Sequence, residues 1–146
     1  MPAFEFSLRR ALEWRTLQLE LERDKLRQAT AGLAEMALAA VRLELVKSRA
    51  EGAVCQSAAV EAGDLWALAA YRQRLIAELQ ALALRRAAAE RQAAAQRQKV
   101  LEAQRQCRLL EKLEQRRHAE WRRAQDREME SVAAESFLAR WSRQGD

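Results

Sequence analysis

The stretch from Leu12 to Leu33 reads LEWRTLQLELERDKLRQATAGL and places a leucine at every seventh position. Ala40 continues this series. A second series, offset by three or four residues, contains Leu8, Arg15, Glu22, Ala29, Met36, Leu43 and Ala50. Two mainly apolar positions in every seven are the heptad pattern of a coiled coil. The stretch therefore predicts a long helix that packs a narrow apolar seam against a second helix.

The composition of the whole chain also favours long helices. Its 146 residues include 31 alanines, four glycines and a single proline, Pro2. Proline breaks helices, and a glycine in a helix interior costs about 0.5–1 kcal/mol relative to alanine. Charged residues make up 32% of the chain. This combination is typical of coiled coils rather than of a compact enzyme domain.

A second apolar series predicts the partner helix. Its members are Leu65, Leu68, Leu75, Leu79, Leu82, Ala89, Ala93, Val100, Ala103, Cys107, Leu110, Trp121 and Ala124. Gly52 and Gly63 separate the two series, and Asp64 is a residue type that favours helix N-caps. We expect a single domain over residues 1–146, with helix one at about 3–51, a connection at about 52–64 and helix two at about 65–143.

Two helices joined by a short connection pack antiparallel. The predicted fold is therefore all-α, an antiparallel coiled-coil hairpin whose longer second helix overhangs the first. Folding about the connection places Phe4 and Phe6 opposite the neighbourhood of Trp121. Cys55 and Cys107 then lie too far apart for a disulfide, and we expect free thiols.

Two apolar stripes lie off the predicted seam or beyond it. One follows residue 122, at spacings of three to four residues, and contains Met129, Val132, Ala133, Phe137 and Trp141. The other contains Trp14, Leu17 and Leu21. We interpret both as surfaces that a partner covers in the helix-in-groove manner. The alternatives are that the first stripe folds back or self-associates, and that the second is an ordinary exposed cluster.

The net charge of +5 belongs to the second half of the chain. Residues 1–63 contain nine basic and nine acidic residues, whereas residues 85–127 contain thirteen basic and six acidic ones, a local charge of +7. Such a stretch suits nucleic acid or an acidic protein surface, or it is a solvated helix face. No nucleic-acid-binding motif accompanies it, so we do not expect nucleic acid as a partner.

The sequence has no constellation typical of catalysis. His118 is the only histidine, and the four glycines are isolated, so neither a metal site nor a phosphate-binding loop is predicted. We expect no enzyme, no metal and no cofactor. The N-terminus MPAFEFSLRR lacks the apolar region of a secretory signal, and no run approaches the ~18 apolar residues of a membrane span. We therefore expect a soluble cytoplasmic protein.

Several sequence features occur together in one known family. They are Phe4-x-Phe6-x-Leu8, Leu12 and Arg15 before a Glu-rich helix, a small-residue tip, and the series Leu65, Leu68, Tyr71, Leu75 and Leu79 before a basic helix. With these features the chain resembles the flagellar export protein FliJ family. The resemblance implies a stalk similar to the γ subunit of rotary ATPases, working in bacterial flagellum biogenesis and type III protein export. In that family both termini enter the pore of the hexameric export ATPase FliI, and the tip-side half contacts the cytoplasmic domain of the export gate FlhA.

The resemblance implies two groups of partner-binding residues. At the ATPase end these are Trp14, Leu17, Leu21, Met129, Val132, Phe137 and Trp141. On the tip side, toward the gate, they are Leu43, Val46, Tyr71, Leu75 and Leu79, several of which are also seam positions. Export chaperones are further candidate partners, and the expected location is the cytoplasm, at the periphery of the inner-membrane export apparatus. The alternatives are the equivalent stalk of a virulence type III secretion system, and a basic coiled coil that binds nucleic acid or self-associates.

Overall fold

A computed structural model describes residues 3–144, and describes the side chains of residues 3–143. Pro2 and Gly145 lie outside the described residues. The described residues form two α-helices and no strand, α1 (Arg9–Cys55) and α2 (Ala62–Gln144). Residues 56–61 connect them. The all-α prediction is confirmed.

Helix α1 begins at Arg9 rather than near residue 3. The Arg9 N–H donates to the Phe6 carbonyl at 3.0 Å, and residues 3–6 belong to no helix. In a helix, Phe4 and Phe6 would lie about 200° apart around the axis, so only one of them could face α2. Outside the helix, Phe6 is buried and Phe4 is half-buried. A non-helical N-terminal segment allows both aromatic rings to be covered, which explains why α1 begins only at Arg9.

The connection is shorter than the sequence predicts, because neither glycine beside it ends a helix. Gly52 lies in α1 and Gly63 in α2, and no described glycine has a positive φ. Asp64 is the third residue of α2 rather than its N-cap. The Leu65 N–H donates to the Glu61 carbonyl at 3.3 Å, and the Glu61 N–H donates to Asp64 Oδ2 at 3.2 Å. Glu61 is thus the N-cap, and Asp64 supplies the returning half of a capping box.

The contacts divide the chain into two compact units. Unit 1 comprises Met1–Glu20 and Glu102–Asp146, and unit 2 comprises Leu21–Leu101. The buried residues of unit 1 are Phe6, Leu19 and Cys107, and those of unit 2 are Leu75, Ala93 and Val100. Of the predicted seam positions, Leu8, Leu65 and Ala124 are exposed. Leu8 and Leu65 stand where a helix is only beginning, and Ala124 stands near the last covered turn of α2.

In unit 1, polar side chains of α1, among them the predicted seam residue Arg15, find partners on α2. Arg9 Nη2 lies 2.8 Å from Glu114 Oε1. Arg15 donates to the side-chain oxygen of Gln106. A half-covered seam tolerates polar side chains when they are hydrogen-bonded, which explains these departures from the heptad pattern.

In unit 2, the same solution applies to Glu22 and Gln96. Gln96 Nε2 donates to the Glu22 carbonyl at 3.0 Å and also to the Glu22 carboxylate. The hydrogen bond from Gln96, followed by one from Lys25, holds the pKa of Glu22 below its ordinary value. Further along the unit, Arg72 Nε lies 3.2 Å from Glu51 Oε1. The charged seam residue Glu22 is therefore hydrogen-bonded, and Glu51 and Arg72 form a further ion pair between the two helices.

Candidate protein-binding surfaces

The last part of α2 in unit 1 is bare. Gln125 is its last half-buried residue, and every side chain from Asp126 to Arg143 is exposed. We call residues 126–143 the terminal segment. Its large apolar side chains are Met129, Val132, Phe137, Leu138 and Trp141. Phe137 is 68% exposed and Trp141 is 71% exposed, so the largest apolar side chains of the segment face water.

Within the terminal segment the apolar residues form two patches. Residues four apart are rotated by about 40° around a helix, so the ridge from Met129 to Trp141 winds by about 120°. Met129 and Val132 line a shallow groove near the beginning of the segment. Ala134, Phe137, Leu138 and Trp141 follow the i, i+3, i+4, i+7 spacing of groove-binding helices.

Sequence reasoning missed Leu138, which is exposed beside Phe137 and Trp141. The pattern starting at Met129 passes over it, because Leu138 lies about 180° from Met129 around the helix. The same spacing started at Ala134 includes it. The sequence therefore contains a helical apolar pattern that includes Leu138, but this pattern starts at Ala134 rather than at Met129.

An aromatic cluster marks the end of the covered part of α2. The Phe4 ring centroid lies 4.9 Å from that of His118 and 6.0 Å from that of Trp121. The His118 and Trp121 rings stack with centroids 5.8 Å apart. This contact confirms that Phe4 lies opposite Trp121, and it accounts for the only histidine as a packing residue.

The predicted stripe on α1 is separate from the terminal segment. In unit 1, Trp14 and Leu17 are exposed, and the Arg15 guanidinium lies 4.8 Å from the Trp14 ring centroid. Arg15 also contacts Gln106, which precedes Asp126 by twenty residues or about 30 Å along α2. Trp14 and Leu17 therefore form a second patch rather than an extension of the first. The third member, Leu21, belongs to unit 2 and is exposed there.

The residues assigned to the gate differ in exposure within unit 2. Leu75 is buried, and Leu43 and Leu79 are partly covered. Val46 and Tyr71 are exposed. A partner meeting the surface of unit 2 thus has access to Val46 and Tyr71 but not to Leu75.

A groove of about 440 Å³ lies around the connection in unit 2. It is lined by Ala50, Ala53, Val54, Ser57, Val60, Asp64, Ala67, Leu68 and Tyr71. Near it, Trp66 is 80% exposed. Sequence reasoning did not select Trp66, because the heptad series passes from Leu65 to Leu68 and leaves it off the seam.

Among the described residues, no group of three or more histidine, cysteine, aspartate or glutamate side chains is arranged to hold a metal ion. No helix in the described part of the chain is both long and apolar enough to cross a membrane. Comparisons with protein-family models, with curated proteins and with solved structures found no match.

Proposed function

We propose that this protein is a non-catalytic stalk of a flagellar type III protein export apparatus. In this proposal an antiparallel coiled-coil hairpin binds the export ATPase, FliI in the family that the sequence resembles, and links it to the export gate FlhA. The stalk works in the cytoplasm, at the periphery of the membrane-bound apparatus. The observation that carries the proposal is the bare apolar surface of the terminal segment, residues 126–143.

The pairing of polar residues supports the hairpin. Within each unit, as the residue number of the α1 partner rises, the residue number of its α2 partner falls. The pairs are Arg9–Glu114 and Arg15–Gln106 in unit 1, and Glu22–Gln96 and Glu51–Arg72 in unit 2. This order is that of two antiparallel helices.

The energetics of the terminal segment support a partner. Covering a large apolar side chain stabilises a complex by about 1.5–3 kcal/mol relative to leaving it in water. Phe137 and Trp141 each present such a side chain on a helix that needs neither for its own packing. Aromatic residues of this kind dominate binding energy at protein interfaces. An export ATPase is the partner that the resemblance to the FliJ family suggests.

The contact with the gate is proposed for a smaller set than the resemblance implies. Val46 and Tyr71 are exposed and open to contact, whereas Leu75 is a core residue. Leu43 and Leu79 are partly covered and contribute at most their outer edges. We therefore assign the gate contact to the surface around Val46 and Tyr71.

The test combines Phe137→Asp with Trp141→Asp and measures binding to the cognate export ATPase and stimulation of its ATP hydrolysis. We expect binding to fall at least ~10-fold, because two anchor side chains become charged. Circular dichroism at 222 nm should stay near wild type, since both side chains are exposed. A matched control, Ser131→Asp with Ala139→Asp, adds the same charge to exposed positions of the same segment.

Two results would contradict this proposal. If the wild-type protein neither stimulates the ATPase nor forms a complex with it on a sizing column, the stalk function is wrong. If the Phe137 and Trp141 double variant loses helicity, the patch is internal packing instead of a docking surface. The same assay with the ATPase of a virulence secretion system separates the two kinds of export apparatus.

A further inference from the structure

A row of cations lies along α2 in unit 1. We call it the basic stripe, and its members are Arg105, Arg108, Lys112, Arg116, Arg123 and Arg127. They follow one another at spacings of three, four or seven residues, which place them on one helix face. The stripe is about 33 Å long at 1.5 Å per residue. All six side chains are exposed.

The basic stripe points away from the packed side of unit 1. The covered residues of α2 there include Ala103, Cys107, Leu110, Glu114, His118 and Trp121. Stripe residues lie about half a turn from this series around the helix. The charges are therefore not needed to fill the contact with α1, and their stems do not cover its apolar residues.

Few ion pairs neutralise the basic stripe in the described structure. Arg105 has a long contact of 3.9 Å with Glu102, and in the part of the chain that the structure describes none of the other five has a carboxylate within 4.0 Å. Like charges three or four residues apart on a helix destabilise it. The steps Arg108–Lys112, Lys112–Arg116 and Arg123–Arg127 each have this spacing. An anionic partner would relieve the repulsion along the whole row.

The surroundings of the stripe favour a protein over a nucleic acid. Leu109 is 68% exposed and lies between Arg105 and Lys112 on the same face. An exposed leucine gains nothing from phosphates, whereas it packs against an apolar side chain of a protein. The stripe also contains no aromatic residue on which a base could stack. A straight partner helix matches the rise of the stripe along its full length.

We propose that the basic stripe binds an acidic α-helix of a partner protein. The carboxylates of that helix repeat every three or four residues, and one apolar side chain lies opposite Leu109. Five of the six stripe residues precede the terminal segment and only Arg127 lies within it. The stripe is charged and does not include the apolar side chains of that segment, so this inference does not depend on the proposed function.

The test uses the full-length protein and two fluorescent helical peptides of 22 residues. In the matched peptide, glutamates repeat every three or four residues on one face around a central leucine. In the second peptide, the same residues are scattered around the helix. Fluorescence anisotropy should show at least ~10-fold tighter binding of the matched peptide, with affinity that falls as salt is raised.

Variants locate the binding. Replacing Arg108, Lys112 and Arg116 by alanine should weaken binding of the matched peptide about 10-fold, since each exposed ion pair contributes a few-fold. The control replaces Arg85, Arg91 and Arg97, which are exposed outside the stripe, and should have little effect. Alanine is a good helix former, so both variants should keep their helicity.

Leu109→Ala distinguishes the two classes of partner. It should weaken peptide binding about threefold, because it removes one apolar contact, and leave binding to a DNA duplex of 22 base pairs unchanged. Equal affinity for the two peptides would overturn the proposal. Tighter binding of the duplex than of the matched peptide would also overturn it and would assign the stripe to nucleic acid.

Discussion

Leu17 and Leu19 are two residues apart on α1, in the same unit, and have opposite environments. Leu19 is 7% exposed and Leu17 is 65% exposed. Their side chains differ by about 200° around the helix, so only Leu19 faces another segment. Helix α2 repeats the contrast along its length, since coverage continues as far as Gln125 and stops at Asp126. In a unit built from so few segments, the presence of a covering partner decides whether an apolar residue is core or binding surface.

The strongest test of this comparison truncates both leucines. Leu19→Ala should lower the free energy of unfolding by about 2–3 kcal/mol, because it removes buried methyl groups from a small core. Leu17→Ala should change it by less than about 0.5 kcal/mol. Urea denaturation followed by circular dichroism at 222 nm measures both. Similar losses in the two variants would mean that Leu17 is covered in solution.

A smaller change in the free energy of unfolding, of opposite sign, is expected when a methyl group is added to a glycine that contacts no other segment. Gly32 lies inside α1, does not have a positive φ, and has nothing within 4 Å of the position where a Cβ would stand. Gly32→Ala should raise the free energy of unfolding by about 0.5–1 kcal/mol through helix propensity alone. Gly52→Ala, near the end of α1, should give a smaller gain in the same urea measurement. A loss of stability at Gly32 would show that the site is tightly covered.

The smallest expected effect is the pH dependence of stability that arises from Glu22, a polar residue on the covered face of α1. The pKa of Glu22 is lowered from 4.5 in the folded protein, first by the hydrogen bond from Gln96 and then by Lys25. A lowered folded-state pKa contributes stability above the unfolded value, and that contribution is lost as the pH falls through the folded value. The urea midpoint should therefore decrease as the pH is lowered from 6 to about 3.

The Gln96→Ala variant tests the cause. Without the amide donor, the pKa of Glu22 should move back toward its ordinary value, and the pH dependence of the urea midpoint should become weaker. Titration of the Glu22 carboxyl by NMR measures the pKa directly. An unchanged titration in Gln96→Ala would show that this hydrogen bond does not form in solution.

Much of the helical pattern was predictable from the sequence, because it depends on local spacing. The leucines at positions 12, 19, 26 and 33 are all at least half-buried, as the heptad predicts. Helix ends were less predictable. Phe4 makes ring contacts outside the helix, and α1 begins later than predicted. Asp64 accepts a capping hydrogen bond from inside the helix, and α2 begins earlier than predicted.

The candidate binding surfaces were predictable only in part. Exposed apolar residues such as Phe137 and Trp141 could be selected because they lie beyond the predicted seam. Leu138 and Trp66 could not be selected in the same way, because Leu138 lies outside the register of the predicted stripe and Trp66 outside that of the predicted seam. Leu75 fits both the seam and the gate contact in sequence, and its burial assigns it to the seam.

By itself, the sequence determined that this chain forms long helices with a narrow apolar face. Both signals are local in sequence: no proline follows residue 2, and the heptad leucines recur every seven residues. Helix formation therefore requires no contact between distant residues. Only the tertiary structure decided where the helices begin and which candidate binding residues, such as Leu75, are covered. Those outcomes depend on pairs such as Arg9 and Glu114, which are 105 residues apart and whose contact no local pattern encodes.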